Sequence, residues 1–140
     1  MYLDANGGLV DPDAVHQIDP ATETTGGNNI QEQHTNFHFE WDEIPADLGE
    51  AATPELLLAA RSQPPTQGRI EDWPAQWASD TVLVSHAAFA GATFKQTSPK
   101  HWTVTFDDRG AYLASQDTIK RQQLAKAGAR LAELLNAIWP

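Results

Sequence analysis

Residues 35–45 read Thr-Asn-Phe-His-Phe-Glu-Trp-Asp-Glu-Ile-Pro and bring an imidazole, several carboxylates and three large aromatic rings into about three helical turns. Thr35 or Asn36 can begin a helix here, because either side chain can accept a hydrogen bond from a free amide of the first turn. Pro45 is expected to end it, since proline has no amide donor and clashes with the preceding turn. The stretch therefore predicts a short helix.

Two pairs of side chains in this helix are four residues apart and would share a face. His38 and Asp42 would bring a nitrogen and an oxygen toward one cation, a donor set that suits zinc. Phe37 and Trp41 would pack the helix against the rest of the protein. The spacing alone also fits a surface pair, a hydrogen-bonded imidazole or core residues, and His34 is an alternative ligand to His38.

A family resemblance adds to this interpretation. Residues 26–30 read Gly-Gly-Asn-Asn-Ile, and residues 36–42 read Asn-Phe-His-x-x-Trp-Asp. Together they resemble the zinc-dependent single-strand nucleases of fungi, plants and bacteria, usually called the S-one/P-one nucleases. Members cleave phosphodiester bonds in single-stranded DNA and RNA and remove 3′-phosphates, using three zinc ions in a mainly helical fold. The resemblance implies that His38 and Asp42 bind zinc, and it makes Asn28 a candidate substrate-binding residue.

Two later segments extend the resemblance. Residues 77–81 read Trp-Ala-Ser-Asp-Thr, similar to the family's Trp-Ala-x-Glu-Ser. Residues 123–136 contain Ala-Gly-Ala-Arg-Leu-Ala-Glu-Leu-Leu-Asn, similar to the family's closing Ala-Gly-x-Arg-Leu-Ala-x-x-Leu-Asn. The resemblance thus covers residues 26–138. Its structural positions in this chain are Trp41, Trp77, Gly128, Arg130 and Asn136.

The fold implied by the resemblance is all-α. We expect residues 26–140 to form the C-terminal half of the helical zinc-cluster fold shared by these nucleases and phospholipase C, with at most one short hairpin. Residues 1–25 are expected to be an irregular leader that need not belong to the family. Family members are secreted or periplasmic, but residues 1–8 lack the basic region and apolar core of a signal peptide.

Most of the zinc ligands that the family uses are missing from this sequence. The leader offers Asp13, His16 and Asp19 as candidates, in a segment that resembles a degraded form of the family's Gly-Asp-x-x-Gln-Pro-Leu-His helix. His16 or Asp19 would be a third ligand beside His38 and Asp42. We therefore expect one zinc ion or none, and weak or absent catalysis. The alternatives are a non-catalytic helical module and a relative of zinc phospholipase C.

Composition limits the possible partners. The chain has 140 residues, the size of one ordinary domain, and lacks cysteine, which excludes disulfides and thiolate metal sites. Its net charge is −10, and residues 1–60 contain no lysine or arginine. Such a surface repels nucleic-acid phosphates unless cations offset it. Single-stranded nucleic acid or nucleotides are therefore expected as partners only from the resemblance, and no run of residues is apolar enough to predict a membrane partner.

The remaining pattern predicts five further elements. A short strand or hairpin arm is expected over residues 30–34, a helix opened by Thr53-Pro54-Glu55, a helix over residues 72–91, and a strand at residues 101–106 within a connecting segment. A closing helix is expected from near Ser115 or Asp117, with an apolar stripe of Ile119, Leu124, Ala127, Leu131, Leu134 and Ile138. Gly128 would let another helix approach closely. We expect part of this stripe to be exposed and to promote self-association.

Overall fold

The computed structural model of the chain describes residues 2–10, 18–49 and 51–139. The helices and strands, with short 3-10 helices between some of them, follow in this order: β1 (Tyr2–Leu3), β2 (Leu9–Val10), β3 (Ile30–Glu32), β4 (Thr35–Asn36), α1 (Phe37–Asp42), α2 (Pro54–Arg61), α3 (Trp73–Phe89), β5 (Ala92–Ser98), β6 (His101–Phe106) and α4 (Arg109–Ile138). None of the helices within these residues is long and apolar enough to cross a bilayer.

The chain divides into two compact units. Unit 1 consists of Met1–Glu43 and Phe89–Leu113, and unit 2 consists of Ile44–Ala88 and Ala114–Pro140. Each unit is therefore built from two separate stretches of sequence, and the boundaries fall within α3 and α4.

Unit 1 contains a four-stranded sheet in the order β4-β3-β6-β5. β3 and β6 are parallel, with Ile30 beside Trp102, and the other neighbouring pairs are antiparallel. Along β6, Trp102 and Val104 are buried while the residues next to them are more exposed, as expected for a strand that covers a core with one face. The core residues of the unit are Leu3, Ile30, Phe37, Phe94, Trp102, Val104 and Tyr112.

The β1–β2 hairpin belongs to this unit. Leu3 is completely buried in the core, and Tyr2 and Leu3 pair with Val10 and Leu9. Gly7 has a φ of 82°, and a Cβ there would lie 2.2 Å from the carbonyl oxygen of Phe94. Only glycine fits so close to another backbone in this conformation. An irregular leader was expected over residues 1–25, whereas Tyr2–Leu3 and Leu9–Val10 form a regular hairpin.

Helix α1 has the cap and the buried face that the sequence predicts. The Asn36 side chain accepts a hydrogen bond from the amide of Phe39 at 2.8 Å, so it caps the helix. Phe37 is buried against Phe94, while Trp41 packs at the edge of the core and donates its indole N–H to the hydroxyl of Tyr112 at 2.9 Å. The helix ends at Asp42, three residues before Pro45.

Unit 2 contains α2 and most of α3 and α4, joined by polar contacts. Thr53 caps α2 as predicted, with its hydroxyl oxygen accepting from the amide of Leu56 at 3.2 Å. Thr66 donates from its amide and its hydroxyl to Glu133 of α4, each at 2.6 Å, and accepts from the Trp77 indole at 3.0 Å. Asp80 of α3 accepts from Lys126 and Arg130 of α4.

The prediction of an all-α fold is wrong, because the sheet in unit 1 forms half of its core. The sequence already contained its signal: residues 92–98 and 101–106 are rich in threonine and aromatic residues and alternate with period two. Residues 101–106 form the expected strand, but the surrounding segment does not merely connect two helices. It forms the β5–β6 pair, and β3 joins the edge of β6.

Two details of the closing helix also differ from expectation. It begins at Arg109, ahead of Ser115 and Asp117, and Asp108 accepts a hydrogen bond from the amide of Ala111 at 2.9 Å. No atom of another helix lies within 4 Å of a Cβ built on Gly128, so among the described residues no helix approaches there.

Candidate metal half-site on the first helix

The exposed face of α1 holds His38 and Asp42. The Nε2 atom of His38 lies 3.1 Å from Oδ2 of Asp42, and the two side chains are 44% and 65% exposed. One turn of helix thus presents an imidazole nitrogen and a carboxylate oxygen side by side to solvent. Both atom types are zinc ligands in proteins.

The His38 ring is oriented by the loop before α1. Its Nδ1 atom lies 3.1 Å from the carbonyl oxygen of Gly26. A carbonyl oxygen can only accept, so Nδ1 donates this hydrogen bond and carries the proton. In the neutral ring Nε2 then holds the lone pair that faces Asp42. Metal-binding histidines in proteins are commonly fixed in this way by a hydrogen bond from the other ring nitrogen.

The Gly26-Gly27 pair is what allows this contact. Gly26 has a φ of 66° and Gly27 a φ of 96°, both in the region that glycine adopts without cost. A Cβ on Gly27 would lie 3.2 Å from the backbone nitrogen of His38. The preceding Thr25 also has a positive φ, of 51°, which is rare for a β-branched residue. The loop is therefore tightly folded against the start of α1.

The geometry fits part of a zinc site. Two ligand atoms of a tetrahedral zinc ion, each about 2.1 Å from the metal, lie about 3.4 Å apart. The His38–Asp42 pair is close to that separation. An imidazole lone pair and a carboxylate at this distance also need a positive charge between them, which either a proton or a metal ion can supply.

The other candidate ligands do not join this pair within the described residues. Asp13 and His16 lie outside those residues. Asp19 caps a short 3-10 helix, where its carboxylate accepts from the amide of Ala21 at 2.8 Å. His34 lies in the turn between β3 and β4. Across residues 2–10, 18–49 and 51–139, no group of three or more His, Asp or Glu side chains is placed to hold a metal ion.

Asn28 and Arg130 make contacts within the described part of the protein, and none of these contacts is to His38 or Asp42. The Asn28 amide donates to the carbonyl oxygen of Thr25 at 3.1 Å, within the loop that positions His38. Arg130 binds Asp80 at 2.7 Å and lies over the ring of Trp77 at 5.7 Å from its centroid. Asn136 is exposed on α4.

A second ionic cluster in unit 1 lies on the buried side of α1. Glu32 of β3 and Glu40 of α1 are both buried, and both contact the guanidinium of Arg109. Arg109 donates to Glu40 at 3.2 Å and 3.3 Å. The periodicity of the sequence could have predicted that both glutamates are buried. Glu32 follows the buried Ile30 by two residues in a strand, and Glu40 lies one turn from Phe37 in a helix.

Burial dominates the electrostatics of this cluster. It raises the pKa of Glu32 to about 7, and the neighbouring Glu40 acts in the same direction while Arg109 opposes both. The hydrogen bond to Glu40 in turn raises the pKa of Arg109 above its ordinary value. Two carboxyl groups thus share one guanidinium in a site with little access to water, which favours one proton on the pair near neutral pH.

Comparisons of the chain with protein-family models, curated proteins and solved structures found no match. The contacts of His38 with Gly26 and Asp42 are therefore what the structure itself offers toward a function.

Proposed function

We propose that the chain binds one zinc ion through His38 and Asp42, as part of a zinc-dependent nuclease that hydrolyses phosphodiester bonds in single-stranded DNA or RNA. One observation carries the proposal: Nδ1 of His38 is held by the Gly26 carbonyl while Nε2 points to Asp42 at 3.1 Å. Metal-binding histidines in proteins are commonly held by such a hydrogen bond from the other ring nitrogen. The Gly-Gly-Asn motif that carries the resemblance also supplies that carbonyl.

The protein side chains hold and orient the metal. His38 and Asp42 fill two positions of a tetrahedral site and leave the others open to water, substrate or further ligands. When bound, zinc acidifies a coordinated water and neutralises charge on a phosphate group. Phe37 and Trp41, on the other side of α1, pack in the core of unit 1 and fix the helix that presents both ligands.

Electrostatics supports a metal-dependent interaction with nucleic acid. The chain has a net charge of −10, and no lysine or arginine precedes position 61. Phosphates are therefore repelled from the surface around α1 until a cation is bound there. Binding of single-stranded DNA is expected to require zinc and to weaken as the salt concentration rises.

A non-catalytic module that binds one zinc ion is the second candidate function. It is favoured by the absence of a third ligand beside His38 and Asp42 among the described residues. The zinc-cluster nucleases and phospholipase C use several metal ions, so two ligands of one site predict weak hydrolysis or none. Both candidates share the same metal half-site and differ in turnover.

Zinc stoichiometry tests the proposal first. We expect about one zinc ion per chain by metal analysis after reconstitution and dialysis, and a loss of at least tenfold in affinity for His38→Ala. His34→Ala is the matched control, because it removes an exposed imidazole a few residues away and also tests the alternative ligand. Absence of bound zinc, or equal binding by wild type and His38→Ala, would contradict the metal assignment.

A hydrolysis assay separates the two candidates. Zinc-loaded protein is incubated with single-stranded DNA, with a 3′-nucleotide, and with phosphatidylcholine as the phospholipase C substrate. Cleavage of the first two that is lost in His38→Ala supports the nuclease, and cleavage of the lipid alone supports the phospholipase C alternative. Zinc binding without turnover supports the non-catalytic module.

A further inference from the structure

The C-terminal part of α4 presents an uncovered apolar face. Leu131, Leu135 and Ile138 are 58%, 44% and 50% exposed, and Trp139 directly after the helix is 70% exposed. A Cβ built on Gly128 has no atom within 4 Å. Within the described residues, therefore, nothing packs on this side of the helix.

The spacing of this face is that of a helix-pairing seam. Leu124, Gly128, Leu131, Leu135 and Ile138 follow one another at intervals of four, three, four and three residues. This is the alternation of the two core positions of a heptad repeat, which keeps one side of a helix against a partner helix. Leu124 is partly buried, so the exposed part of the seam runs from Gly128 to Ile138, a length that supports a weak pair.

The charges of α4 are kept away from the seam. Between Leu124 and Ile138 the charged residues are Lys126, Arg130 and Glu133. All three are used inside unit 2, since Lys126 and Arg130 bind Asp80 and Glu133 binds Thr66. The positions that flank the seam are alanines, Leu134 and Trp139. The face therefore carries no charge that would repel a second copy of the chain, and none that would attract a charged partner of another kind.

We propose that a second copy of this chain covers the face, with the two α4 helices antiparallel. In the register that places Leu131 opposite Leu135, Gly128 lies opposite Ile138 of the other copy. At each end of the pair, Gly128 of one copy thus faces the large side chain of Ile138 of the other. Such alternation of small and large residues fills a helix interface. The uncharged seam lets two copies approach although each carries a net charge of −10.

The size of the face limits the expected strength. The exposed parts of Leu131, Leu135, Ile138 and Trp139 amount to roughly 500 Å² per copy, so a pair that covers them completely buries about 1,000 Å², the lower limit for a specific interface. We therefore expect a weak, reversible dimer. Metal binding by His38 and Asp42 is not involved, so the dimer should persist in a chelator.

Sedimentation velocity from about 1 to about 300 μM tests the proposal through the concentration dependence of the mass. We expect a monomer–dimer equilibrium for wild type and at least a tenfold weaker one for Leu135→Glu. Leu83→Glu is the matched control, because it makes the same change at a leucine of α3 that is 71% exposed. A monomer at all concentrations, or equal weakening by both variants, overturns the proposal.

Gly128→Leu tests the register without loss of folding. It replaces a poor helix former by a good one at an open position, so the monomer should gain helix stability, and in the antiparallel register the new leucine faces Ile138 as Leu131 faces Leu135. We therefore expect a variant that is more stable to heat and that dimerises at least as tightly as wild type. Loss of dimerisation in a variant that still folds overturns the register.

Disulfide trapping shows whether the two α4 helices of the dimer are antiparallel or parallel. The chain has no cysteine of its own, so single substitutions are unambiguous. Leu131→Cys mixed with Leu135→Cys should give a mixed disulfide dimer under mild oxidation, in preference to either homodimer. Preferred homodimers of Leu131→Cys would mean a parallel pair and would contradict the antiparallel arrangement.

Discussion

Leu3 in unit 1 is fully buried, whereas Leu131 in unit 2 is 58% exposed. In this respect each leucine is typical of the apolar side chains of its unit. Most buried apolar side chains belong to the core of unit 1. Within the residues described, every exposed large apolar side chain except Phe39 and Leu113 belongs to unit 2. One chain thus contains a unit with a core of its own and a unit whose apolar surface is largely uncovered.

The two units are therefore stabilised by different interactions. In unit 1, removal of apolar area from water supplies the main driving force, at about 25 cal/mol per Å². In unit 2, hydrogen bonds and ion pairs join the helices, above all those of Asp80 and Glu133 to their partners. Such partly exposed polar bonds each contribute little. Unit 2 should consequently be the less stable of the two and the one that gains most from a binding partner.

The largest expected effect comes from truncating the same residue type in each unit. Leu3→Ala should lower the free energy of unfolding by about 3 kcal/mol, because it leaves a cavity in a packed core. Leu131→Ala should change it by less than about 0.5 kcal/mol at concentrations where the chain is monomeric. Urea unfolding followed by tryptophan fluorescence measures both, and similar losses in the two variants would contradict the contrast between the units.

The buried acid pair of unit 1 gives the next largest effect, and it depends on pH. The folded state holds a proton on Glu32 more tightly than the unfolded chain does, since its pKa is raised from 4.5 to about 7. The stability from this proton is therefore complete below about pH 4.5 and is lost as the pH rises through about 7. Glu32→Gln should stabilise the protein by on the order of 2 kcal/mol at pH 8 and hardly at all at pH 4.

Thermal unfolding at several pH values checks this result. Glu43→Gln, at an exposed carboxylate just after α1, is the control and should change the free energy of unfolding by less than about 0.5 kcal/mol at pH 8. Destabilisation by Glu32→Gln at pH 8 would mean that the ionised carboxylate is needed by Arg109, and that the pair does not share a proton.

The smallest expected effect is at Asp80 in unit 2. Hydrogen bonds from Lys126 and then from Arg130 lower its pKa below 3.8. Its contribution is thus present above about pH 4 and is lost as the pH falls through the lower folded value. Asp80→Asn should cost about 1 kcal/mol at pH 7, a figure kept small because the group is one-third exposed, and almost nothing near pH 2.

A double-mutant cycle sharpens this test. Asp80→Asn introduced into Lys126→Gln should cost less than in wild type, because one of the two charged donors has already been removed. Chemical denaturation monitored by circular dichroism follows the helices of unit 2. Equal costs in both backgrounds would show that Asp80 does not act through this ion pair.

Local signals in the sequence were sufficient for the caps of α1 and α2 and for the contact between His38 and Asp42. Asn36 and Thr53 cap the helices that they were expected to cap, and Pro54 occupies the first position of α2. The four-residue spacing of His38 and Asp42 becomes a 3.1 Å contact because α1 is helical over both residues. In these places the residues of a single helical turn determine the local structure.

The pairing of β3 with β6 and the orientation of His38 depend on distant residues, and for that reason sequence reasoning missed them. The parallel pairing of Ile30 with Trp102 leaves no periodic trace in either segment. The Gly26 carbonyl that holds the imidazole is a backbone group, which a search for side-chain ligands does not consider. The all-α expectation failed because the strongest helices in the sequence belong to the unit that has little core.

The parallel pairing of β3 with β6 has a consequence for synthesis on the ribosome. Residues 26–42, including the glycine loop and α1, leave the exit tunnel well before Trp102 is added to the nascent chain. Until then Ile30 and Phe37 lack the core residues Phe94, Trp102 and Val104 of β5 and β6, and contacts between distant segments form late. The nascent chain should therefore present an apolar surface to chaperones during elongation, and His38 and Asp42 should become ordered only after β6 has emerged.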